Sequence, residues 1–561
     1  MSNLLYYGDN LAVLRESVKD ESADLIYLDP PFNSSANYNV LFKAPSGEGS
    51  QAQIEAFEDT WHWNESAERA FDEVVTGPHS DASIMLKAMR AALGENDMMA
   101  YLAMMAVRLI ELHRVLKPAG SLYLHCDPTA SHYLKMLLDG IFGPRNFRSE
   151  IVWKRSSAHS DTKQGRKLHG HIHDVIFFYT KGSKWTWNEV YTPYGEEYLD
   201  RDYGLVDEAG RHFRRGDLTA AKPGGDTEYE WRVKKHQGAK ERWVADLDDE
   251  HLKPQPGWEY RGVPPYGGRF WAYSKDNMRQ FAKDGRLRHT FDGMPEYKRF
   301  LDEMPGVPLQ DLWTDITPII AGQQERLGYP TQKPLSLLER IIESSSNKND
   351  VVLDPFCGCG TTIHAARKLD RQWIGIDITH LAIGLIERRL KDAFPGIKYE
   401  VHGVPTDLAG ATNLAERDKH EFQKWITAKV GAQPYKGGKK GMDRGIDGYL
   451  HFRDADKKPQ FAIVSVKGGG TNSGHVRDLK GTMDREKAAL GLFLTLNKPT
   501  REMEKEAAAA GLYETGGIKV PRLQILTAED IIDDRRPQVP YGFTEGFKKA
   551  AREEKGQERL L

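Results

Sequence analysis

A carboxylate, two prolines and an aromatic ring follow directly on a short apolar stretch near the start of the chain. Residues 29–32 read Asp-Pro-Pro-Phe and come after the apolar run at 24–28. Because proline fixes φ and lacks a backbone donor, the two prolines force a rigid, extended turn at the end of the predicted strand. Asp29 supplies a hydrogen-bond acceptor, the carbonyls of the turn supply others, and Phe32 supplies a flat stacking face. These groups predict a site that grips a planar ring carrying an exocyclic amine.

A glycine-rich turn late in the chain has the features of a nucleoside-binding loop. Residues 354–360 read Asp-Pro-Phe-Cys-Gly-Cys-Gly, between a predicted strand and a predicted helix. Gly358 and Gly360 permit a tight turn and a close approach of a ligand. Asp377 ends the next predicted strand, where a carboxylate can accept hydrogen bonds from ribose hydroxyls. The turn lacks GxGxxG spacing, which favours a ligand without a pyrophosphate; the alternative is a plain glycine turn with a solvated aspartate.

Strands and helices alternate around both stretches, which predicts an α/β fold with a parallel sheet. A helix is predicted over about 96–116, where Met, Leu, Ile and Val recur at helical spacing before a Pro and a Gly. The predicted strands are 4–7, 24–28, 121–125, 150–153, 174–179, 351–353 and 372–376. Residues 185–310 have weak periodicity and predict an inserted, loop-rich domain, while the Gly/Pro/Ala/Thr-rich stretch 403–415 predicts a linker to a second α/β region.

Together the two motifs resemble those of the S-adenosylmethionine-dependent DNA amino-methyltransferases, which methylate the exocyclic amine of adenine or cytosine. The block at 29–32 precedes the Phe-x-Gly-x-Gly block at 356–360, an order similar to that of the circularly permuted β group, and the resemblance covers about residues 3–400. It implies a Rossmann-like methyltransferase fold. The implied cofactor-binding residues are Asp354, Phe356, Gly358 and Gly360 at the methionine part, Asp377 at the ribose, Asp9 at the adenine, and Thr331 and Lys333 at the amino-acid end.

The resemblance also implies the chemistry of the first motif. A target base in duplex DNA must be flipped out of the stack before its amine is reached. Phe32 would stack on the base, Asp29 and the Pro30 carbonyl would accept hydrogen bonds from the amine, and Pro31 completes the implied catalytic loop. Glutamine methyltransferases of related fold carry Asn at the first position and cytosine-N4 enzymes often carry Ser. Asp29 therefore favours adenine N6, with cytosine N4 as the alternative.

A basic stretch between two predicted strands is the candidate DNA-contacting loop. Lys154, Arg155, Arg166 and Lys167 fall in one segment with interleaved histidines. A phosphate-contacting loop and an ordinary solvated loop both fit this composition, and the resemblance favours the first. We expect double-stranded DNA as the partner, read by a target-recognition region at 185–325.

A second candidate site lies in the C-terminal α/β region. Asp447 precedes a predicted strand at 449–452, and the next strand, at 461–464, continues into Ser465-Val-Lys467. This arrangement resembles the restriction-endonuclease-like PD-(D/E)xK fold in its Mrr-like form, in which acidic residues hold Mg²⁺ and the lysine stabilises developing charge. Ser465 stands where that family usually has Glu, Asp or Gln. A cleaving, Mg²⁺-dependent half of a bifunctional restriction–modification protein and a DNA-binding module without cleavage both stay open.

Composition sets the remaining limits. The 561-residue chain carries a formal net charge of −3, so any affinity for nucleic acid must come from local patches. It has no apolar run that approaches a membrane span, and its three cysteines cannot form a disulfide framework, so we expect a cytoplasmic protein without a metal site in the methyltransferase part. The resemblance is compatible with a homodimer. The predicted domains are a catalytic part at 1–184, the target-recognition region at 185–325, a cofactor-binding part at 326–402 and the endonuclease-like domain at 416–540.

Overall fold

The computed structural model describes most of the chain, in ten segments. They are residues 3–31, 62–156, 169–238, 242–248, 255–320, 323–329, 331–435, 445–456, 458–540 and 550–553. The chain divides into two compact units, one formed by residues 1–188 with 310–561 and the other by 189–309. Among the described residues, no helix has the length and apolar character needed to cross a membrane.

Within the described part of the first unit, a nine-stranded sheet forms the centre. Its strands, in spatial order, are Leu312–Trp313, Phe147–Lys154, His173–Thr180, Leu116–Cys126, Ala23–Leu28, Val351–Asp354, Gln372–Asp377, Leu4–Tyr7 and Glu400–His402. Neighbouring strands are parallel, except that His173–Thr180 runs antiparallel to both of its neighbours. The strand of the first motif therefore pairs directly with the strand that leads into the glycine turn.

Helices cover both faces of this sheet. They are Asn10–Ser17, Glu65–Thr76, Ser80–Leu93, Asp97–Val115, Pro128–Phe142, Leu335–Ser345, Thr361–Lys368 and His380–Ala393. The first five pack into one apolar core and the last three into the other. Because successive side chains of a strand point to opposite faces, Ile26 enters the first core and Leu25 the second. The helix predicted over about 96–116 is confirmed as Asp97–Val115.

In its described residues, the second unit consists of short strands and two small α-helices. Its strands are Tyr191–Thr192, Leu205–Val206, His212–Gly216, Thr219–Ala220, Trp231–His236, Val244–Ala245, Trp258–Val263, Phe270–Trp271, Leu287–His289, Pro295–Phe300 and Val307–Pro308, and its helices are Glu196–Asp202 and Lys275–Lys283. Trp231, Trp243 and Trp271 form its core together with Met278. Strands of two to six residues are too short to show a hydrophobic period, which explains the weak periodicity of this part of the sequence.

The C-terminal region of the first unit is a second α/β structure. Its five-stranded sheet has the order Gln433–Pro434, Gly448–Arg453, Pro459–Lys467, Leu490–Thr495 and Leu523–Thr527, and Leu512–Thr515 pairs with Ile518–Pro521 in a separate hairpin. The helices are Leu408–Arg417, Lys419–Lys429, Ser473–Glu486, Arg501–Ala508 and Ala528–Ile532. Apolar clusters fill both faces of the sheet.

The linker predicted at 403–415 is wrong over its second half. Residues Leu408–Arg417 form a helix whose N-cap, Asp407, accepts a hydrogen bond from the backbone N–H of Gly410. Leu414 is buried in the same core as Trp425. Small residues and a glycine are typical of a linker, but helices in proteins draw most of their stability from a packed face, which composition does not reveal.

Replacing Leu414 with alanine should destabilise the C-terminal region by about 2–4 kcal/mol, because the substitution leaves a cavity in its core. Hydrogen exchange of peptides from 419–533, compared with peptides from 351–393, measures the loss. Glu416→Ala, at an exposed position of the same helix, is the control and should leave exchange unchanged. Equal exchange in the two variants would show that the helix is not part of this core.

Candidate active site

Four neighbouring parallel strands end at one edge of the central sheet, and a cavity of about 260 Å³ opens there. They are Ala23–Leu28, Val351–Asp354, Gln372–Asp377 and Leu4–Tyr7. Residues at or just beyond the end of each strand line the cavity. Because the carboxyl ends of parallel strands meet at one edge, residues about 300 positions apart in the sequence become neighbours here.

The cavity gathers most of the residues that the sequence singles out. The predicted cofactor-binding residues in its lining are Asp9, Thr331, Lys333, Asp354, Phe356, Gly358 and Asp377. Gly360 is not in the lining and instead caps the helix Thr361–Lys368. Of the predicted catalytic loop, Asp29 and Pro31 line the cavity, Pro30 is buried, and Phe32 lies outside the described residues.

The glycine turn requires glycine at both positions. Gly358 and Gly360 have φ values of +49° and +74°, a region that other residues rarely adopt. A Cβ on Gly360 would lie 2.8 Å from Cγ1 of Ile386. The Gly358 N–H donates a 2.9 Å hydrogen bond to Oδ2 of Asp377, which ties the turn to the end of the next strand. The turn therefore depends on both glycines, and at Gly358 it presents bare backbone to the cavity.

Two carboxyl groups, of the buried Asp354 and the half-buried Asp377, border the cavity with raised pKa values. Burial raises the pKa of Asp354 to about 7, and its Oδ1 accepts a 3.0 Å hydrogen bond from the Phe356 N–H. Burial raises the pKa of Asp377 to about 6, although Thr379 and Gly358 donate hydrogen bonds to it. A ligand that brings a cationic group or hydroxyl donors would stabilise the charged forms of both groups.

Arg108 and Asn10 also line the cavity, and no motif in the sequence marks them. Arg108 is 4% exposed, and it donates hydrogen bonds to Oδ2 of Asp9 at 2.8 Å and to Oδ1 of Asn10 at 2.7 Å. Asn10 in turn donates a 2.9 Å hydrogen bond to the Pro355 carbonyl. Arg108 is a single charged residue within the apolar run of the helix Asp97–Val115, and this is the sequence signal that could have identified Arg108 as a site residue.

Lys333 joins the predicted catalytic loop to the predicted cofactor segment. Its Nζ lies 2.5 Å from Oδ2 of Asp29, and the two side chains are 12% and 16% exposed. The family resemblance implies a cofactor contact for Lys333, and the structure adds this ion pair with Asp29, the carboxylate of the predicted catalytic loop. The pair fixes the position of the Asp29 carboxylate in the cavity lining.

A chain of buried polar groups runs from the strand of the catalytic loop toward the basic stretch. The Tyr27 hydroxyl lies 2.8 Å from Nδ1 of His125, whose Nε2 lies 3.1 Å from Oδ2 of Asp174. The other oxygen of Asp174 pairs with Nε of Arg155 at 2.8 Å. Arg155 is therefore held at the start of the predicted DNA-contacting loop by Asp174. The hydrogen bonds continue from Asp174 through His125 to Tyr27, which lines the cavity.

The remaining residues of that loop are only partly described. Lys154 is the last residue of the strand Phe147–Lys154, where its Cα pairs with that of His173. Arg166 and Lys167 lie outside the described residues. The DNA-contacting role of this stretch stays a prediction.

In the second candidate site, in the C-terminal region, hydrogen bonds from the protein occupy both carboxylate oxygens of Asp447. Asp447 is 5% exposed, and its two oxygens accept hydrogen bonds from the Val466 N–H at 2.6 Å and from Nε2 of Gln423 at 2.7 Å. Ser465 is buried beside it and Lys467 is half-buried. A catalytic Mg²⁺ needs carboxylate oxygens with open positions around the ion, and no cluster of potential metal ligands occurs among the described residues. These residues do not fit Mg²⁺.

A family model described as NACHT-associated inactive restriction endonuclease 1 matches residues 419–533. The matched segment contains Asp447, Ser465 and Lys467. The match supports a restriction-endonuclease-like region of an inactive family and does not confirm the Mrr-like form expected from the sequence.

Methyltransferases are similar to the rest of the chain. Type II methyltransferase M.EcaI of Enterobacter cloacae is 28% identical over 392 residues, which cover 69% of each protein. DNA adenine methyltransferase YhdJ of Escherichia coli (strain K12) is 24% identical over 74% of this chain and 91% of its own length. The solved PvuII DNA methyltransferase, which is cytosine-N4-specific, is 14% identical with a TM-score of 0.30, over 71% of this chain and 89% of that one.

A family model described as DNA methylase, of the N6/N4 type, matches residues 23–388, more than half of the chain. The chain belongs to the DNA methylase family.

Proposed function

We propose that the protein transfers a methyl group from S-adenosylmethionine to N6 of an adenine flipped out of double-stranded DNA. The observation that carries the proposal is the position of Asp29. Its carboxylate lines the cavity, is held by Lys333, and follows the strand that pairs with the strand of the glycine turn. A group that recognises an amine therefore stands beside a site built for a nucleoside.

The lining of the cavity fits S-adenosylmethionine, which supplies an electrophilic methyl group on a sulfonium. Asp377 accepts three hydrogen bonds from the protein, and a carboxylate has capacity for a further one from a ribose hydroxyl. Asp354 would pair with the ammonium group of the methionine part. Asp9, oriented by Arg108, would accept a hydrogen bond from the amine of the cofactor's adenine. The raised pKa values of Asp354 and Asp377 support such partners.

Methyl transfer needs the lone pair of the target amine to leave conjugation with the base. Asp29 and the Pro30 carbonyl would accept the two amine hydrogens, which turns the lone pair toward the methyl group. A nitrogen–carbon bond forms, a sulfur–carbon bond breaks, and the amine loses a proton, for which Asp29 is the adjacent acceptor. Cys126 and Cys357 are buried with raised pKa values, and neither is needed as a nucleophile.

Adenine is favoured over cytosine by two observations. Asp29, rather than Ser, heads the catalytic motif. One relative, which matches over 74% of this chain and 91% of its own length, is a DNA adenine methyltransferase. Cytosine N4 is the alternative, because the matched family includes both kinds of enzyme.

The unit at 189–309 is the proposed target-recognition region. Its core is small and aromatic, and its strands carry many arginines and lysines, such as Arg215, Arg232 and Lys298. Cationic side chains of this kind contact phosphates, and loops between short strands reach base edges. A bifunctional enzyme that also cleaves DNA is not favoured, since the Asp447 site does not fit Mg²⁺.

Replacing Asp29 with alanine should reduce methyl transfer by about 10²- to 10⁴-fold, because the variant loses the acceptor of the amine hydrogens. Transfer is measured with methyl-labelled cofactor and mixed-sequence DNA, followed by digestion to nucleosides. Cofactor binding should persist. Asp72→Ala, on an exposed face of the helix Glu65–Thr76, is the control and should keep normal turnover. Label in N4-methylcytosine would refute the adenine assignment, and normal turnover of Asp29→Ala would refute the mechanism.

Cofactor affinity should fall as the pH drops below about 7. The pKa of Asp354 is about 7 in the free protein, and an ammonium partner lowers it in the complex, so the charged form that binds is lost on acidification. A single group of this kind weakens binding by about tenfold per pH unit. Calorimetric titration with S-adenosylhomocysteine at a series of pH values measures the slope. Asp354→Asn should bind weakly with a flatter profile; an unchanged profile would exclude Asp354 as the ammonium partner.

A further inference from the structure

The C-terminal region contacts a strand of the central sheet that leads into the cavity lining. Glu421, on the helix Lys419–Lys429, accepts a 2.5 Å hydrogen bond from the Tyr7 hydroxyl, and the same oxygen lies 3.5 Å from Nε2 of His380. The rings of Tyr7 and His380 stack with their centroids 3.8 Å apart and an interplanar angle of 12°. One carboxylate therefore holds two stacked rings of the methyltransferase part.

Each of these rings belongs to a segment that lines the cavity. Tyr7 ends its strand and is followed by Gly8 and Asp9, while His380 opens a helix three residues after Asp377. The two segments are also joined to each other, because the Gly8 N–H donates a 3.0 Å hydrogen bond to the Asp377 carbonyl. A contact that fixes both rings from outside thus fixes the carboxylates at the adenine and ribose ends of the proposed cofactor site.

Glu421 is itself held in place. Its backbone N–H donates a 3.1 Å hydrogen bond to the N-cap Asp418, and its second oxygen accepts a 3.2 Å hydrogen bond from Nζ of Lys424. His380, the Tyr7 hydroxyl and Lys424 keep the pKa of Glu421 well below its usual range. The acceptor is therefore charged at neutral pH and has little freedom to move.

The same helix also contacts Asp447, in the second candidate site of the C-terminal region. Gln423, two residues after Glu421, donates the hydrogen bond that occupies Oδ1 of Asp447. The helix Lys419–Lys429 thus contributes to the endonuclease-like fold on one side and to the methyltransferase part on the other. The C-terminal region, whose residues do not fit Mg²⁺, is therefore connected through this helix to the proposed cofactor site of the methyltransferase part.

We propose that Glu421 is a positioning residue for cofactor binding, supplied to the methyltransferase part by the C-terminal region. It acts through Tyr7 and His380, which orient the segments that carry Asp9 and Asp377. The inference depends on the proposed function, since it assigns S-adenosylmethionine to the cavity. It adds a role for the endonuclease-like region that requires no DNA cleavage.

Glu421→Ala should raise the dissociation constant for S-adenosylhomocysteine by about tenfold, and Tyr7→Phe, which keeps the stacked ring, should raise it by a similar factor. The double variant should bind no more weakly than Glu421→Ala, because the hydrogen bond that Tyr7→Phe removes is one of the contacts that Glu421→Ala already removes. The KM for the cofactor should rise while kcat at saturation stays within about threefold of the wild-type value. A substitution that only reduced the amount of folded protein would lower the apparent kcat and would not raise the KM for the cofactor.

Lys429→Ala is the matched control. It removes the 2.9 Å ion pair between Lys429 and Glu387, which joins the same helix to the methyltransferase part through residues other than Tyr7 and His380. Cofactor affinity of this variant should be unchanged. Wild-type affinity in Tyr7→Phe and Glu421→Ala, or an equal loss in Lys429→Ala, would overturn the positioning role. Wild-type protein that bound no cofactor would instead refute the proposed function, so the two failures are distinguishable.

Discussion

The active site depends on one constraint, which is that four parallel strands lie side by side and end at the same edge. Asp29, Asp354, Asp377 and Asp9 each stand at or just beyond the end of one of these strands. The order of the strands in space differs from their order in the chain, since the first strand lies beyond the two late ones. The edge is unchanged by this permutation, because hydrogen bonding between strands depends on their register and not on the connections between them.

Placing four carboxyl groups around one small cavity creates repulsion that the protein relieves for only two of them. Asp9 is paired with Arg108, and Asp29 with Lys333. Asp354 and Asp377 have hydrogen-bond donors but no such ion pair among the residues that the structure describes, and burial raises their pKa values. The cavity is therefore most favourable to a ligand that carries positive charge and hydroxyl groups, which is the chemistry of the proposed cofactor.

Local patterns predicted the parts of the fold and site that depend on short-range chemistry. Prolines after an apolar strand, glycines between a strand and a helix, and a carboxylate after the next strand all leave a local mark in the sequence. The helix Asp97–Val115 was predictable because its period is long and uninterrupted. The helix Leu408–Arg417 was not, because its small residues resemble a linker and its stability comes from burial in the core that contains Trp425.

By itself, the sequence determined most strands of the central sheet and the residues that stand at their ends, because backbone preferences and hydrophobic periods act over a few residues. Only the tertiary structure decided which of these ends meet and what holds them. The contacts of Arg108 with Asp9, Lys333 with Asp29 and Glu421 with Tyr7 join residues 99, 304 and 414 positions apart. No local preference encodes such pairs, because each arises from the packing of elements that the sequence pattern treats separately.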